Sequence, residues 1–249
     1  MTSFEIIIWT VLPYVVITIF IVGHIWRYRK DKFGWTSRSS QLQEKKILAW
    51  GSNLFHYGAL AAIGGHVIGI LIPQSWTQAV GISESLYHNF SAYAGAIAGL
   101  VTFVGLVILL YRRISNSRIG PTTTSVDLVV YSLLTILIIL GLSMTIGVNL
   151  LGPTYNYRPT VGVWFRDIFL LNPHPSLMAN APELYQLHAF LAWFLFALWP
   201  FSRLVHVWSV PVWYIGRPYI LYRSRYKTPP LGEPSLVESY PNTSNPKID

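Results

Sequence analysis

Seven histidines punctuate the 249 residues, and four of them sit where a titratable ring is costly. His56 and His66 fall in one long apolar stretch, and His188 and His206 fall in another. A polar ring in hydrocarbon needs a partner, so an intramembrane histidine marks a functional site by default. Imidazole is the usual ligand for haem iron, and two of them give a six-coordinate, low-spin iron suited to electron transfer. Four such histidines, split two and two, therefore point to two b-type haems. The competing reading is that the rings hydrogen-bond between helices without a cofactor, as in a transporter. A transporter would also show polar groups at the midplane and broken helices, and Asn149, His56 and His66 leave some room for it. Cysteine is absent. That removes covalent haem attachment, iron–sulfur clusters, thiolate metal sites and disulfides from this chain.

The elements that must position these rings are transmembrane helices. Hydrophobic residues make up 52% of the chain and charged residues 11%, with a mean hydropathy of +0.43. A soluble domain carries about a quarter charged residues. Five apolar stretches, at roughly 6–22, 47–72, 90–110, 126–150 and 184–210, are each long enough to cross about 30 Å of hydrocarbon. The fold class expected is all-α, an integral membrane bundle of five helices. Aromatic residues such as Trp26, Trp50, Trp76 and Tyr111 gather at the ends of the runs, as interfacial belts do. The first span lacks the preceding positive charge and the following small-residue site of a cleaved signal.

Charge placement sets the expected orientation. Sixteen Lys and Arg residues lie between spans one and two, between spans three and four, or from the end of span five onward. Arg158 and Arg166 alone lie on the other side. The positive-inside rule then places the N-terminus outside and the C-terminus in the cytoplasm. The same placement argues that the net charge of +8 serves topology and not nucleic-acid binding. Thr124 or Ser125 followed by Asp127 reads as a cap for span four. Pro13 and Pro200 should kink spans one and five. Residues 151–183 read as a long external loop, and residues 217–249 as a cytoplasmic, partner-binding tail following a membrane domain at 1–216.

Depth pairs the rings. Span two runs from inside to outside and span five runs back, so His56 shares a level with His206 and His66 with His188. The rises do not match for straight helices. His188 and His206 are separated by about 27 Å along a continuous helix, and His56 and His66 by about 15 Å. Tilt and the Pro200 kink must absorb the difference. Gly58, Gly64, Gly65 and Gly69 should let a macrocycle approach span two closely. His24 reads as interfacial and His174 as a solvated loop residue. Tyr87 and His88 mark the external mouth of span three, where a neutral imidazole could accept a proton from a quinol.

At these residues the chain resembles the gamma subunit of respiratory nitrate reductase. The stretches that carry the likeness are GHIWRYRKDKFGWTSRSSQ at 23–41, SNLFHYG at 52–58, GHVIGIL at 65–71 and FSRLVHVWSVPV at 201–212. The likeness runs to about Tyr226. It implies a dihaem cytochrome b that oxidises a membrane quinol, menaquinol or ubiquinol, near an outer haem held by His66 and His188. Electrons then pass to an inner haem held by His56 and His206. From there they reach an iron–sulfur beta subunit and a molybdenum-containing alpha subunit in the cytoplasm. Nitrate reduction itself lies outside this chain. Gly65, Tyr87 and His88 are the quinol-site candidates, and Arg112 and Arg203 the candidate partners for haem propionates. One departure stands out: the family carries a lysine near the outer start of span three, and this chain has none between Lys46 and Lys227. A dihaem anchor of another reductase is the alternative within the same chemistry.

Overall fold

The computed structural model describes residues 2–209; the end of the fifth apolar stretch and the tail at 217–249 lie outside the described residues. The described chain is all-helical. Five helices are long and apolar enough to cross a membrane: Ser3–Lys30, Lys46–Leu71, Glu84–Ser115, Ser125–Leu150 and Glu183–Phe201, referred to below as spans one to five.

Local sequence explains their ends. Thr2 and Glu5 close a capping box on span one, and Thr124 and Asp127 do the same for span four. Ser83 accepts from the Leu86 amide at the start of span three. Spans one, two and four each contain a π-helical stretch, at Ile7–Val11, Val67–Leu71 and Ser143–Leu150. Pro13 follows the first of these and is buried at the start of a regular helix, Leu12–Lys30. The ring that cannot donate is thus accommodated by a widened turn.

Spans two and three pack through glycine. A Cβ at Gly58 would meet the Thr102 amide at 2.6 Å, and one at Gly105 would meet the Phe55 backbone. Bare backbone at both positions lets the helices touch, as small residues do in membrane bundles. Gly58 therefore serves helix packing. Gly69 likewise backs onto the Tyr87 and Tyr157 hydroxyls. The sequence-based expectation that both glycines open space for a macrocycle is corrected here. Gly64 and Gly65 have nothing within 4 Å of a built Cβ and do face open space.

The segment read as a loop after span four contains two helices, Val161–Phe169 and Pro175–Ala179. Val161, Trp164 and Ile168 recur at helical spacing and are buried with Trp9, Val16, Met178, Tyr185 and Trp193. The Trp164 indole donates to the Trp9 carbonyl at 2.9 Å, beside the π-turn of span one. The Tyr14 hydroxyl donates to the Ile168 carbonyl at 3.0 Å.

Span five departs most from expectation. Its α-helix ends at Leu198, a 3-10 turn covers Trp199–Phe201, Ser202 is extended, and a second 3-10 helix runs Arg203–Ser209. The expected kink at Pro200 is instead a break. Span one holds it. Gly23 lies against the Pro200 ring, with only 2.9 Å for a Cβ. Arg27, 7% exposed, donates from Nη1 to the Pro200 and Ser202 carbonyls at 2.7 and 2.8 Å, and from Nη2 to the Gly34 carbonyl at 2.8 Å. The carbonyls freed by the break are thereby satisfied. Arg203 then fastens the second 3-10 helix to span four by a two-pronged pair with Asp127, at 2.8 and 2.7 Å.

Candidate functional site

The break decides where His206 goes. A continuous helix from His188 would carry residue 206 about 27 Å along the axis, well past His56. The broken chain instead places the His206 ring centre 6.0 Å from that of His56, with the planes crossed at 76°. Toward the other end of span two, the ring centre of His66 lies 6.2 Å from that of His188 on span five, and their planes are within 11° of parallel. The two levels are separated by the ten residues from His56 to His66, about 15 Å of helix.

Hydrogen bonds orient three of the four rings. Nδ1 of His56 lies 2.7 Å from the Ser52 carbonyl, with the Ser52 hydroxyl at 3.2 Å. Nδ1 of His66 lies 2.7 Å from the Ala62 carbonyl, and Nδ1 of His206 lies 2.6 Å from the Arg203 carbonyl. A carbonyl accepts, so each of these nitrogens carries the proton. Nε2 is left with its lone pair, the arrangement a metal-ligating imidazole needs.

The separations fit a six-coordinate iron. Two metal–imidazole bonds of about 2 Å and about 1.1 Å from each nitrogen to its ring centre sum to about 6 Å. Among the described residues, no group of three or more His, Asp or Glu side chains could hold a bare metal ion. Each pair supplies two ligands, which is what a haem iron takes after its macrocycle is counted. Gly64 and Gly65, beside His66, leave open space.

The two arginines proposed for propionates are occupied by the protein. Arg112, 3% exposed, meets the Glu44 carboxylate at 2.7 Å, the Ser40 hydroxyl at 2.8 Å, and the Ser40 and Glu44 carbonyls. Burial alone would raise the Glu44 carboxyl. The bonds from Arg112 and from the Ile47 and Leu48 amides outweigh it and hold the group below the usual carboxylate range. Arg203 is committed to Asp127 and to the Thr122 carbonyl. Both arginines tie chain segments together.

Around the His66 level the structure sets Tyr157, Arg158 and Arg166, to which sequence reasoning gave no part in the site, beside the candidates Tyr87 and His88. Tyr87 is buried, and its hydroxyl lies 3.3 Å from that of Tyr157. Burial pushes the Tyr157 hydroxyl far up, so it stays protonated. Arg158, 1% exposed, stacks its guanidinium 4.0 Å over the Tyr87 ring and reaches Glu84, Thr77 and the Ile72 carbonyl. Arg166 donates to the Ile70 carbonyl at 2.6 Å. These two arginines thus take up carbonyls at the π-helical end of span two. Half-buried His88 places Nε2 3.2 Å from the Asn149 carbonyl, which leaves Nδ1 as its basic nitrogen. His24 sets Nδ1 2.6 Å from the Phe20 carbonyl and packs among Phe20, Trp35 and Trp208. His174 pairs with Asp167 at 2.8 Å.

Known proteins are similar to this chain over most of its length. Residues 5–225 match the family model described as "Nitrate reductase gamma subunit". The nitrate reductase gamma chain of Bacillus subtilis is 48% identical over 219 residues, covering 88% of this chain and 98% of that protein. The respiratory nitrate reductase 2 gamma chain of Escherichia coli is 35% identical over 216 residues, covering 86% and 95%. The nitrate reductase-like protein NarX of Mycobacterium tuberculosis is 52% identical over 218 residues; these cover 87% of this chain and only a third, 33%, of that longer protein. With a family model matched over nearly its whole described length and full-length gamma chains aligned end to end, the chain belongs to the nitrate reductase gamma subunit family.

Proposed function

We propose that this chain is the dihaem, quinol-oxidising membrane subunit of a nitrate reductase. The observation that carries the reading is the pair of histidine pairs. Span two meets span five at one level and the 3-10 helix Arg203–Ser209 at the other, bringing imidazoles to 6.2 and 6.0 Å between ring centres. In this reading His66 and His188 hold the outer haem, and His56 and His206 the inner one. A bound haem supplies a one-electron carrier at each level.

The protein's own residues do the rest. Backbone carbonyls fix the tautomers of three ligands and raise their basicity. Gly65 leaves the approach to His66 open. His88, with Nε2 tied to the Asn149 carbonyl, offers Nδ1 to a quinol hydroxyl proton on the outer side. Tyr87 does not meet a quinol directly in this reading, because its ring is under Arg158 and its hydroxyl is on Tyr157. Arg158 and Tyr157 instead brace the outer end of span two. Electrons leave on the basic face, toward an iron–sulfur beta subunit and a molybdenum-containing alpha subunit in the cytoplasm. The relatives' names as gamma chains of nitrate reductase support partners of that complex.

Single substitutions at the two levels test the assignment. His66→Ala should remove one haem and abolish quinol oxidation, and His206→Ala should remove the other. Retention of two haems per chain in either variant would refute the ligand assignment.

A further inference from the structure

The helix Val161–Phe169 reaches down beside span one. Its Trp164 indole donates to the Trp9 carbonyl at 2.9 Å, and its Ile168 carbonyl accepts from the Tyr14 hydroxyl at 3.0 Å. Glu5 is the last charged residue before the apolar stretch of span one, and Trp9 and Tyr14 follow it by four and nine residues. At 1.5 Å per residue those levels are about 6 and 14 Å into the stretch. A helical tyrosine leans back toward the N-terminus, so Ile168 falls between the two levels, on the order of 10 Å inside. The start of the helix is shallower. A Cβ on Gly162 would lie 3.6 Å from the Gly69 and Ile70 carbonyls, in the last turn of span two.

The deep end is apolar and outward-facing. Phe169, Leu170 and Leu171 are 57%, 72% and 79% exposed. The chain reverses at Leu171, whose φ of 55° lies in the left-handed region. A helix that stops in water ordinarily places Gly or Asn there. The backbone is closed as hydrocarbon demands: the Arg166, Asp167 and Ile168 carbonyls accept from the Leu170, Asn172 and Leu171 amides at 3.1, 3.0 and 3.2 Å. The charges are drawn off. Arg166 reaches back to the Ile70 carbonyl at 2.6 Å, on the shallow side, and Asp167 meets His174 at 2.8 Å.

We infer that the segment between spans four and five re-enters the bilayer on the face opposite the basic loops, with Phe169, Leu170 and Leu171 as its lipid-inserted tip. Lipid is the occupant because span one sets the depth, and its own Val11 and Val15 at that depth are apolar and exposed. An interfacial helix buries its apolar face by a comparable 5–10 Å or so. The insertion anchors the same segment whose Arg158 and Arg166 brace the end of span two. The inference rests on the five helices crossing a bilayer and is independent of the haems.

The chain has no cysteine, so one introduced thiol carries a nitroxide label cleanly. The test labels Leu170→Cys and, separately, Phe169→Cys in the full chain with its partner subunits, held in lipid nanodiscs. Val15→Cys is the lipid reference, and Ser37→Cys, exposed between spans one and two, is the water reference. Power saturation compares collisions with oxygen, which concentrates in lipid, and with a water-soluble nickel chelate. At residues 169 and 170 the oxygen-to-nickel collision ratio should exceed that at residue 37 several-fold and approach that at residue 15. A ratio matching the water reference at either residue would overturn the inference. Protection from both reagents would mean that protein covers the tip, and would overturn it equally.

Discussion

Removing Arg27 should strip the inner haem while sparing the outer one. Arg27 stands 173 residues from Pro200 in sequence, yet its guanidinium gathers three carbonyls, two of them at the break in span five. That break is what brings His206 back to His56. In Arg27→Gln the shorter amide can satisfy one carbonyl, and two charge-assisted bonds are lost. At about 1.5–3 kcal/mol for each bond to a charged group, the loss is about 3 kcal/mol or more. If that loss falls on the placement of His206, inner-haem affinity drops by roughly a hundredfold, at about 1.4 kcal/mol per factor of ten. Arg27→Lys should recover little, because an ammonium cannot span the two carbonyls as a fork does. The assay is pyridine-haemochrome quantification on detergent-purified protein, washed with a haem scavenger. Arg27→Gln should retain close to one haem per chain, the one lost on His66→Ala. Full retention of both haems after the wash, with unmodified thermal stability, would refute the claim that Arg27 holds the break.

Two further outcomes follow from the same geometry. Crossed imidazole planes leave two iron d orbitals close in energy, and parallel planes separate them. The 76° pair at His56 and His206 should therefore give the ferric EPR signal with the larger maximal g value, and the 11° pair at His66 and His188 the smaller; indistinguishable signals would contradict the ring geometry. The Glu44 carboxyl is held below its ordinary value, so its contribution to stability is complete above the unfolded pKa near 4.5 and is lost as pH falls through the lower folded value. Acid titration of thermal stability should show a step below pH about 4.5 that Glu44→Gln abolishes; a step retained in the variant would mean that another carboxylate is responsible.

Much of this molecule is legible in its sequence, and the parts that are not share a cause. Hydrophobic length alone marks the five spans, because lipid demands internally satisfied backbone. The four histidines declare themselves by being polar where polarity is costly. Span five was the difficulty: spacing arguments assume a continuous helix, and Pro200 says only that the ladder is interrupted. Whether the outcome is a kink or a break depends on what satisfies the freed carbonyls, and that is Arg27, a residue 173 positions away from Pro200 in the chain. Its charge reads as a topology signal. The acidic partners of Arg112 and Arg203 are hidden in the same way, since Glu44 and Asp127 stand 68 and 76 residues off. Val161–Phe169 hides because Pro and Asn on either side suggest loop, while Val161, Trp164 and Ile168 already carry a helical stripe. Gly58 and Gly69 look like Gly64 and Gly65 in sequence, and only the neighbouring helix tells them apart.

The central claim is that the two histidine pairs each hold a haem. A dithionite-reduced minus oxidised visible spectrum, with pyridine-haem quantification of the purified chain in its complex, tests it most directly. Two b-type haems per chain is the predicted result. A folded, fully assembled preparation without haem would contradict the account and leave the four imidazoles as interhelical polar contacts.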